Sequence, residues 1–301
     1  MPSDSEPAST QHRGRFAPSP TGQLHFGSLL AATGSYLQAK ANGGEWLLRI
    51  EDIDPPREVP GAARAQIETL RLFGMVPDRP VVWQSRTGAR HQAALAMLLQ
   101  SGQAFHCACS RRDLPANGVY PGTCRNGIPA GREARSVRLK VDDQIIYFND
   151  VIQGECRQNP GRECGDFIIR RADGLMAYQL AVVVDDAEAG VSEVVRGADL
   201  IESTGRQVHV YRCLGLEPPT YAHLPLVVDK DGRKLSKSEA DDPVQHRRRQ
   251  TTLRLVLRAL GHEPPAGCQS LDALWRWALD HWDVQQVPKG PVQIGLHPQW
   301  R

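Results

Sequence analysis

The stretch Arg15-Phe16-Ala17-Pro18-Ser19-Pro20-Thr21-Gly22-Gln23-Leu24-His25-Phe26-Gly27-Ser28 limits the fold more than any other. It opens with a short apolar run that can end a strand. Two prolines and two glycines then make a tight turn. From Ser28 a helical pattern starts, with Leu29, Leu30, Thr33, Tyr36 and Leu37 near one face. A strand that turns onto a helix N-terminus is a place to hold phosphate, because the first backbone N–H groups of the helix have no partner inside it. Gly27 lets a flat group approach the backbone. His25 and Ser28 add side-chain donors. A Pro/Gly-rich loop with no ligand is the plain alternative for these pieces taken singly.

The order of elements sets the fold class. Trp46–Ile50 reads as a buried strand that ends at Glu51-Asp52-Ile53-Asp54. Pro60 opens a helical stretch, Val81-Val82-Trp83 reads as a strand, and residues 88–101 as a helix. This β-α-β-α-β-α order predicts an α/β, Rossmann-type parallel sheet whose ligands sit beyond the strand C-termini. The pattern breaks near residue 103. Ser136–Val141, Ile145–Phe148 and Phe167–Arg170 are three short β-type runs, expected to form one antiparallel sheet inside an insertion. The α/β pattern resumes near Met176, with a helix over Ala177–Ala187, a strand over Val191–Arg196 and a helix over Ala198–Gly215. Leu224–Val228 and Arg233–Leu235 flank the turn dipeptide Asp231-Gly232 and read as a hairpin. The remainder is helical up to Gly290 and irregular beyond it. The expected segments are a loose tail over 1–12, a discontinuous α/β body over 13–102 and 176–240, an insertion over 103–175, and a short helical C-terminal part over 241–301.

Charge and cysteine content narrow the setting. No apolar run is long enough for a membrane span and the first twelve residues lack a signal-peptide core, so a cytoplasmic protein is expected. A net charge of +2 does not announce a nucleic-acid partner. However, Arg111, Arg112, Arg125, Arg132, Arg135 and Arg138 crowd one region and Arg247, Arg248, Arg249, Arg254 and Arg258 another. Such clusters can track phosphates or can be solvated surface. Seven cysteines in a chain of this setting argue against a disulfide framework.

The second informative stretch is Lys234-Leu235-Ser236-Lys237-Ser238. Alone it is no more than a loop with two lysines. Together, Pro-Ser-Pro-Thr-Gly followed by His25-Phe26-Gly27-Ser28 upstream and Lys-Leu-Ser-Lys-Ser downstream resemble the two separated ATP motifs of class I aminoacyl-tRNA synthetases, specifically the glutamyl branch. Ser28 stands where that family usually has His or Asn, and keeps a hydroxyl donor. The resemblance implies ATP as substrate with Mg2+, and attack of an amino-acid carboxylate on the α-phosphate. That transition state gathers negative charge on phosphate oxygens and calls for cations and positioning. Lys237 is the expected cation at the reacting phosphates, assisted by Lys234, with His25, Gly27 and Ser28 completing the ATP site.

A glutamate substrate asks for a guanidinium at its side-chain carboxylate and a carboxylate at its ammonium. Arg15, Glu51, Tyr178 and Arg196 are residues of those types. The segments that carry them resemble glutamate-binding segments of the glutamyl branch, which implies that Arg15, Phe16, Ala17, Pro18 and Ser19 line the amino-acid site, with Arg15 on the side-chain carboxylate. Spacing alone does not bring Tyr178 or Arg196 to the site, and Arg196 also reads as a surface charge after a strand.

Cys107, Cys109 and Cys124 offer three thiolates of the four ligands that structural zinc takes. Chemistry makes His106 the conventional fourth ligand. The pattern Cys-x-Cys-x10-Tyr-x3-Cys resembles a zinc pattern completed by tyrosine, which implies Tyr120, and Tyr120 is the expectation adopted. A closed zinc site would replace a core too small to hold the insertion.

The segment after Ser238 is shorter than the ~100 residues that a further domain takes, so no anticodon-binding domain is expected. The chain accordingly resembles the short paralogues of glutamyl-tRNA synthetase, the glutamyl-queuosine tRNA(Asp) synthetase family, from about residue 13 to 260. That resemblance implies activation of L-glutamate without tRNA and transfer to queuosine in the anticodon of tRNA(Asp), by a monomer. Three other readings remain open: a minimal enzyme charging a tRNA 3′ end, an enzyme with a small-molecule acceptor, and an inactive zinc-stabilised RNA-binding paralogue.

Overall fold

The structure, a computed structural model, describes residues 11–228, 244 and 246–293. The Asp231-Gly232 turn and the Lys234–Ser238 motif lie outside the described residues. Chain order is β1 (Arg13–Phe16), α1 (Phe26–Ala41), β2 (Glu45–Ile50), α2 (Ala62–Leu72), β3 (Val82–Trp83) and α3 (Gly88–Gln100). It continues with β4 (Ala104–Cys107), β5 (Ser136–Leu139), β6 (Ile146–Asp150), β7 (Gly154–Gln158), α4 (Pro160–Glu163) and β8 (Phe167–Arg170). It ends with α5 (Tyr178–Glu188), β9 (Glu193–Gly197), α6 (Ile201–Cys213), β10 (Thr220–Leu224), β11 (Val227–Val228), α7 (Arg249–Ala259), α8 (Leu271–His281) and β12 (Val292–Gln293).

Strands β1, β2 and β3 pair in parallel, with Arg15 opposite Leu47 and Ile50 opposite Trp83. A second sheet has the order β7-β6-β10-β9, with β10 parallel to both β9 and β6. The two lie edge to edge where the Ser192 N–H donates to the Arg13 carbonyl. The parallel strands and crossover helices are the α/β arrangement that the element order predicts.

Four expectations need correction here. Ile146–Asp150 does not join the insertion sheet, which is β4-β5-β8 and antiparallel. It pairs with β10 instead, because the Val151 N–H donates to the Tyr221 carbonyl and the Asp150 carboxylate accepts the His223 N–H. A period of two reports that a run is a strand, not which sheet it enters. Leu224–Val228 is two strands separated at Pro225, where the chain has no N–H to continue a ladder. Val292 and Gln293 are ordered rather than irregular, since they pair with Val227 and Val228. His12, placed in the tail from the sequence, is tied to the sheet through its carbonyl, which accepts the Glu45 N–H.

Helix α1 begins at Phe26, two residues before the periodic pattern, because His25 caps it. The His25 Nδ1 accepts the Ser28 N–H, and the Ser28 Oγ accepts the His25 N–H. Most of α1 is buried because it lies between the sheet and helices α7 and α8. Leu29, Leu37, Trp46, Leu253, Leu257 and Leu274 belong to one apolar core, so the C-terminal helices share the core of the α/β body. A second core joins the insertion to it, with Val137, Leu139 and Ile169 packed among Leu98, Leu180 and Val210.

Gly34 marks a close approach of α1 to the sheet. A Cβ there would stand 2.7 Å from Leu224 Cδ1, and Leu224 is fully buried. Exchanging glycine for β-branched valine gains a helix at most about 0.5 kcal/mol, but overpacking a closed core costs up to about 3 kcal/mol. Gly34→Val is therefore expected to destabilise the protein by about 2 kcal/mol net in denaturant unfolding; no loss would contradict the packing.

Candidate active site

The C-terminal ends of β1, β2, β9 and β10 open onto one cleft of about 710 Å³. It is lined by Arg15, Phe16, Ala17, Pro18, Ser19, His25, Gly27, Ser28, Glu51, Tyr178 and Arg196. Residues from five separated segments thus meet in one place, at the edge where parallel sheets bind ligands. Lys234 and Lys237 lie outside the described residues.

The Pro-Ser-Pro-Thr-Gly turn is clamped to its neighbours. The Glu51 N–H donates to the Pro18 carbonyl at 3.0 Å. Gln66 of α2 donates to the carbonyls of Ser19 and Gly22, at 3.1 and 2.7 Å. At Gly27 a Cβ would stand 3.2 Å from the His25 ring, so glycine leaves the imidazole its place. The Ser28 hydroxyl, expected as a phosphate donor, turns back: it donates to the His25 carbonyl at 2.8 Å. In this arrangement it shapes the helix start, and the N–H groups of the first turn are the donors presented to an anion.

Below the turn lies a buried ion network. Arg15 donates through Nε to both oxygens of Asp186 at 3.2 and 3.1 Å, and its Nη2 stands 3.1 Å from Asp186 Oδ2. Arg49 reaches Asp186 at 2.7 Å and Glu51 at 3.2 Å. Burial alone would pull the Arg49 guanidinium down, yet Asp186, Glu51 and Asp185 hold it above the ordinary arginine range. Burial pushes the Glu51 carboxyl above the usual carboxylate range, against the pull of Arg49 and Arg15. An ammonium group at Glu51 would favour its charged form.

At the end of β9, Arg196 is buried, which removes the surface-charge alternative. Its guanidinium donates to Gln207 Oε1 (2.8 Å), Thr204 Oγ1 (2.9 Å), the Leu200 carbonyl (3.3 Å), the Tyr178 hydroxyl (3.4 Å) and His223 Nε2 (3.1 Å). Asp186, Arg49, Gln66 and His223 were not foreseen from the sequence. One signal for Asp186 was available: Asp185-Asp186 is a charged pair inside the apolar run of α5, about two helical turns on from Tyr178 and so on the same side of the helix.

A second cluster sits in the insertion. The thiols of Cys107, Cys109 and Cys124 all lie within 4.8 Å of one another and are buried. Cys109 and Cys124 sulfurs are 3.7 Å apart. Tetrahedral zinc with 2.3 Å bonds would set sulfurs about 3.8 Å apart. The Tyr120 hydroxyl lies 3.4 Å from Cys107 Sγ and 4.0 Å from Cys109 Sγ. His106 is exposed on the other face of β4, away from the thiols. Arg138, one of the arginines that could track phosphates or be solvated surface, is instead buried here. Its Nε donates to Cys107 Sγ at 3.3 Å and its guanidinium lies 3.9 Å over the Tyr120 ring. Arg125 pairs with Asp166 and Arg132 with Asp113, so half of that arginine group is committed internally.

The profile described as "tRNA synthetases class I (E and Q), catalytic domain" matches residues 11–117 and 123–260. A protein of Chromobacterium violaceum named glutamyl-Q tRNA(Asp) synthetase is 53% identical over 292 residues, covering 95% of this chain and 98% of that protein. The chain belongs to the glutamyl-Q tRNA(Asp) synthetase family of class I tRNA synthetases. A family relative of the same name from Pseudomonas aeruginosa is 50% identical over 279 residues, covering 92% of this chain and 95% of that protein. Among solved structures, a glutamate tRNA ligase of Elizabethkingia meningosepticum, in complex with its amino acid, superposes with a TM-score of 0.79 at 27% identity. It covers 94% of this chain, which spans 67% of that one. The glutamate-tRNA synthetase of Elizabethkingia anophelis gives 0.80 at 27% identity, over 95% and 68%. Membership in the glutamyl-Q tRNA(Asp) synthetase family makes this chain a ligase with the class I synthetase catalytic fold, a class in which ATP use is expected. No helix among the described residues is long and apolar enough to cross a membrane.

Proposed function

We propose that the protein activates L-glutamate with ATP, without tRNA, and transfers the glutamyl group to queuosine in the anticodon of tRNA(Asp). One observation carries the reading: Arg15, Glu51, Tyr178 and Arg196 share a cleft with the His25–Ser28 turn. Arg15 takes the side-chain carboxylate of glutamate, and Glu51 takes the ammonium. Tyr178 and Arg196 also hold the substrate, while residues Phe16 to Ser19 line its path. The α-carboxylate is left to attack the α-phosphate of ATP. His25, Gly27 and the helix start hold the nucleotide, and Lys234 and Lys237 supply cations to the phosphates, with Mg2+ on the leaving pyrophosphate. The names of the relatives support queuosine in tRNA(Asp) as the acceptor.

Segments 13–102 and 176–240 make the catalytic body in this reading, and the helical part over 241–301 buttresses it. The insertion over 103–175 binds the acceptor. Cys107, Cys109, Cys124 and Tyr120 hold one structural zinc ion. Burial and the neighbouring thiols push Cys109 up to about 11, and burial with Cys107 pushes Tyr120 above the usual phenol range. A dication is the partner that reverses both shifts, with release of protons on binding.

Labelled glutamate offered with tRNA(Asp) tests the transfer. Label should enter only tRNA that carries queuosine and should survive periodate oxidation of the 3′-terminal ribose. Label confined to the 3′ end would show ordinary charging instead. Lys237→Ala is expected to lower the activation rate by about 100-fold or more while raising the glutamate KM less than threefold, because its charge acts on the transition state. Equal losses in both would remove that role.

A further inference from the structure

Two buried side chains, His223 and Asp150, stand behind Arg196, and neither is among the residues that line the cleft. His223 and Asp150 are both fully shielded from solvent, on adjacent parallel strands, and His223 is the register partner of Arg196. His223 Nε2 receives the Arg196 Nε–H at 3.1 Å and lies 3.3 Å from the Thr204 hydroxyl. Only a neutral imidazole can accept there, so the ring proton sits on Nδ1. That nitrogen is 2.5 Å from Asp150 Oδ2. Asp150 is itself held: its other oxygen accepts the N–H groups of Ile152 (3.0 Å), Gln153 (2.8 Å) and His223 (3.1 Å).

We infer that Asp150 and His223 are positioning residues for glutamate: Asp150 fixes the His223 tautomer, and His223 Nε2 fixes the direction in which Arg196 faces the substrate. The inference rests on the reading of Arg196 as a glutamate-binding residue. The physical need is specific. An arginine has many rotamers, and its fork selects a carboxylate only when its plane is set in advance. Gln207, Thr204 and the Leu200 carbonyl hold the two outer nitrogens. His223 is the partner of Nε, the nitrogen that sets the tilt of the plane. Burial keeps the His223 imidazole pKa below its ordinary value, and the adjacent guanidinium acts in the same direction. This is the same geometry that second-layer carboxylates use to orient a histidine at metal sites, with a guanidinium in place of the metal.

The test is glutamate-dependent ATP–pyrophosphate exchange by the full chain, with KM for glutamate and for ATP measured separately. His223→Asn keeps a donor for Asp150 and removes the acceptor for Arg196. His223→Gln places an amide oxygen near the position of Nε2. His223→Asn should raise the glutamate KM about tenfold, with the ATP KM and kcat within about threefold. His223→Gln should recover most of that loss. A glutamate KM within twofold for His223→Asn, or a Gln variant as impaired as the Asn variant, overturns the inference. Arg196→Ala separates the two layers. If it leaves the glutamate KM unchanged, the reading of the glutamate site fails. If it raises the KM and His223→Asn does not, the positioning role alone fails. Histidine-selective 15N spectra of the wild type need no variant to fold. They should show His223 as the neutral Nδ1–H tautomer at pH 7; the Nε2–H tautomer or an imidazolium would also overturn it.

Discussion

Asp186→Ala is expected to cost about 3–5 kcal/mol of folding stability, the penalty for removing one partner of a buried ion pair, and to abolish measurable glutamate activation. Asp186 is the shared acceptor of two arginines. Arg15 meets it with Nε and Nη2, and Arg49 with Nη1 at 2.7 Å. All three side chains are at most 5% exposed, so water cannot replace the lost carboxylate. With Asp186 gone, Glu51 alone faces Arg49 directly, and among the described residues no other side chain hydrogen-bonds the Arg15 guanidinium. The variant therefore loses stability and substrate geometry through one atom group. Asp186→Asn keeps the shape and removes the charge, so it should fall between wild type and alanine in both measures. Urea unfolding and exchange assays on the three proteins check this. A loss below 1 kcal/mol for the alanine variant would mean that the network is not the keystone described.

Cys109→Ser is expected to reduce bound zinc from about one ion per chain to none and to lower the melting temperature by several degrees. The apolar cluster around the thiols is small: Phe105, Cys107, Ala108, Cys109, Tyr120 and Cys124. Such a core does not hold a glycine- and proline-rich segment by burial alone, and a metal then contributes folding energy outright. Serine keeps the volume but is a poor zinc ligand, so metal loss is separated from a packing defect. Elemental analysis with melting curves, with and without a strong chelator, gives the readout. Chelator should destabilise the wild type and leave the variant unmoved. Unchanged zinc in the variant would remove this site from the account.

The sequence reveals most of the fold's class and less of its wiring. Strand–turn–helix at Arg15–Ser28 and the alternating order that follows are local patterns, and they give the parallel sheet. The pairing of Ile146–Asp150 with β10 depends on Asp150 meeting His223, more than 70 residues away, and no periodicity carries that. The site splits in the same way. His25, Gly27 and Ser28 are adjacent and legible. Tyr178 and Arg196 were reachable through resemblance, whereas Asp186, Arg49 and His223 act through other side chains and have no motif of their own. Arg138 fits neither reading of its cluster. A run of arginines offers a surface for phosphates or for water, but this one stacks on Tyr120 and donates to a thiol, which composition cannot distinguish from exposure.

In the proposed function this cleft, by itself, makes glutamyl-adenylate. Glutamate-dependent ATP–pyrophosphate exchange in RNA-free buffer measures that step directly. Exchange should proceed with glutamate and ATP alone, at a rate that added tRNA changes little. Exchange that appears only when tRNA is supplied, or that never appears with glutamate, would contradict the account.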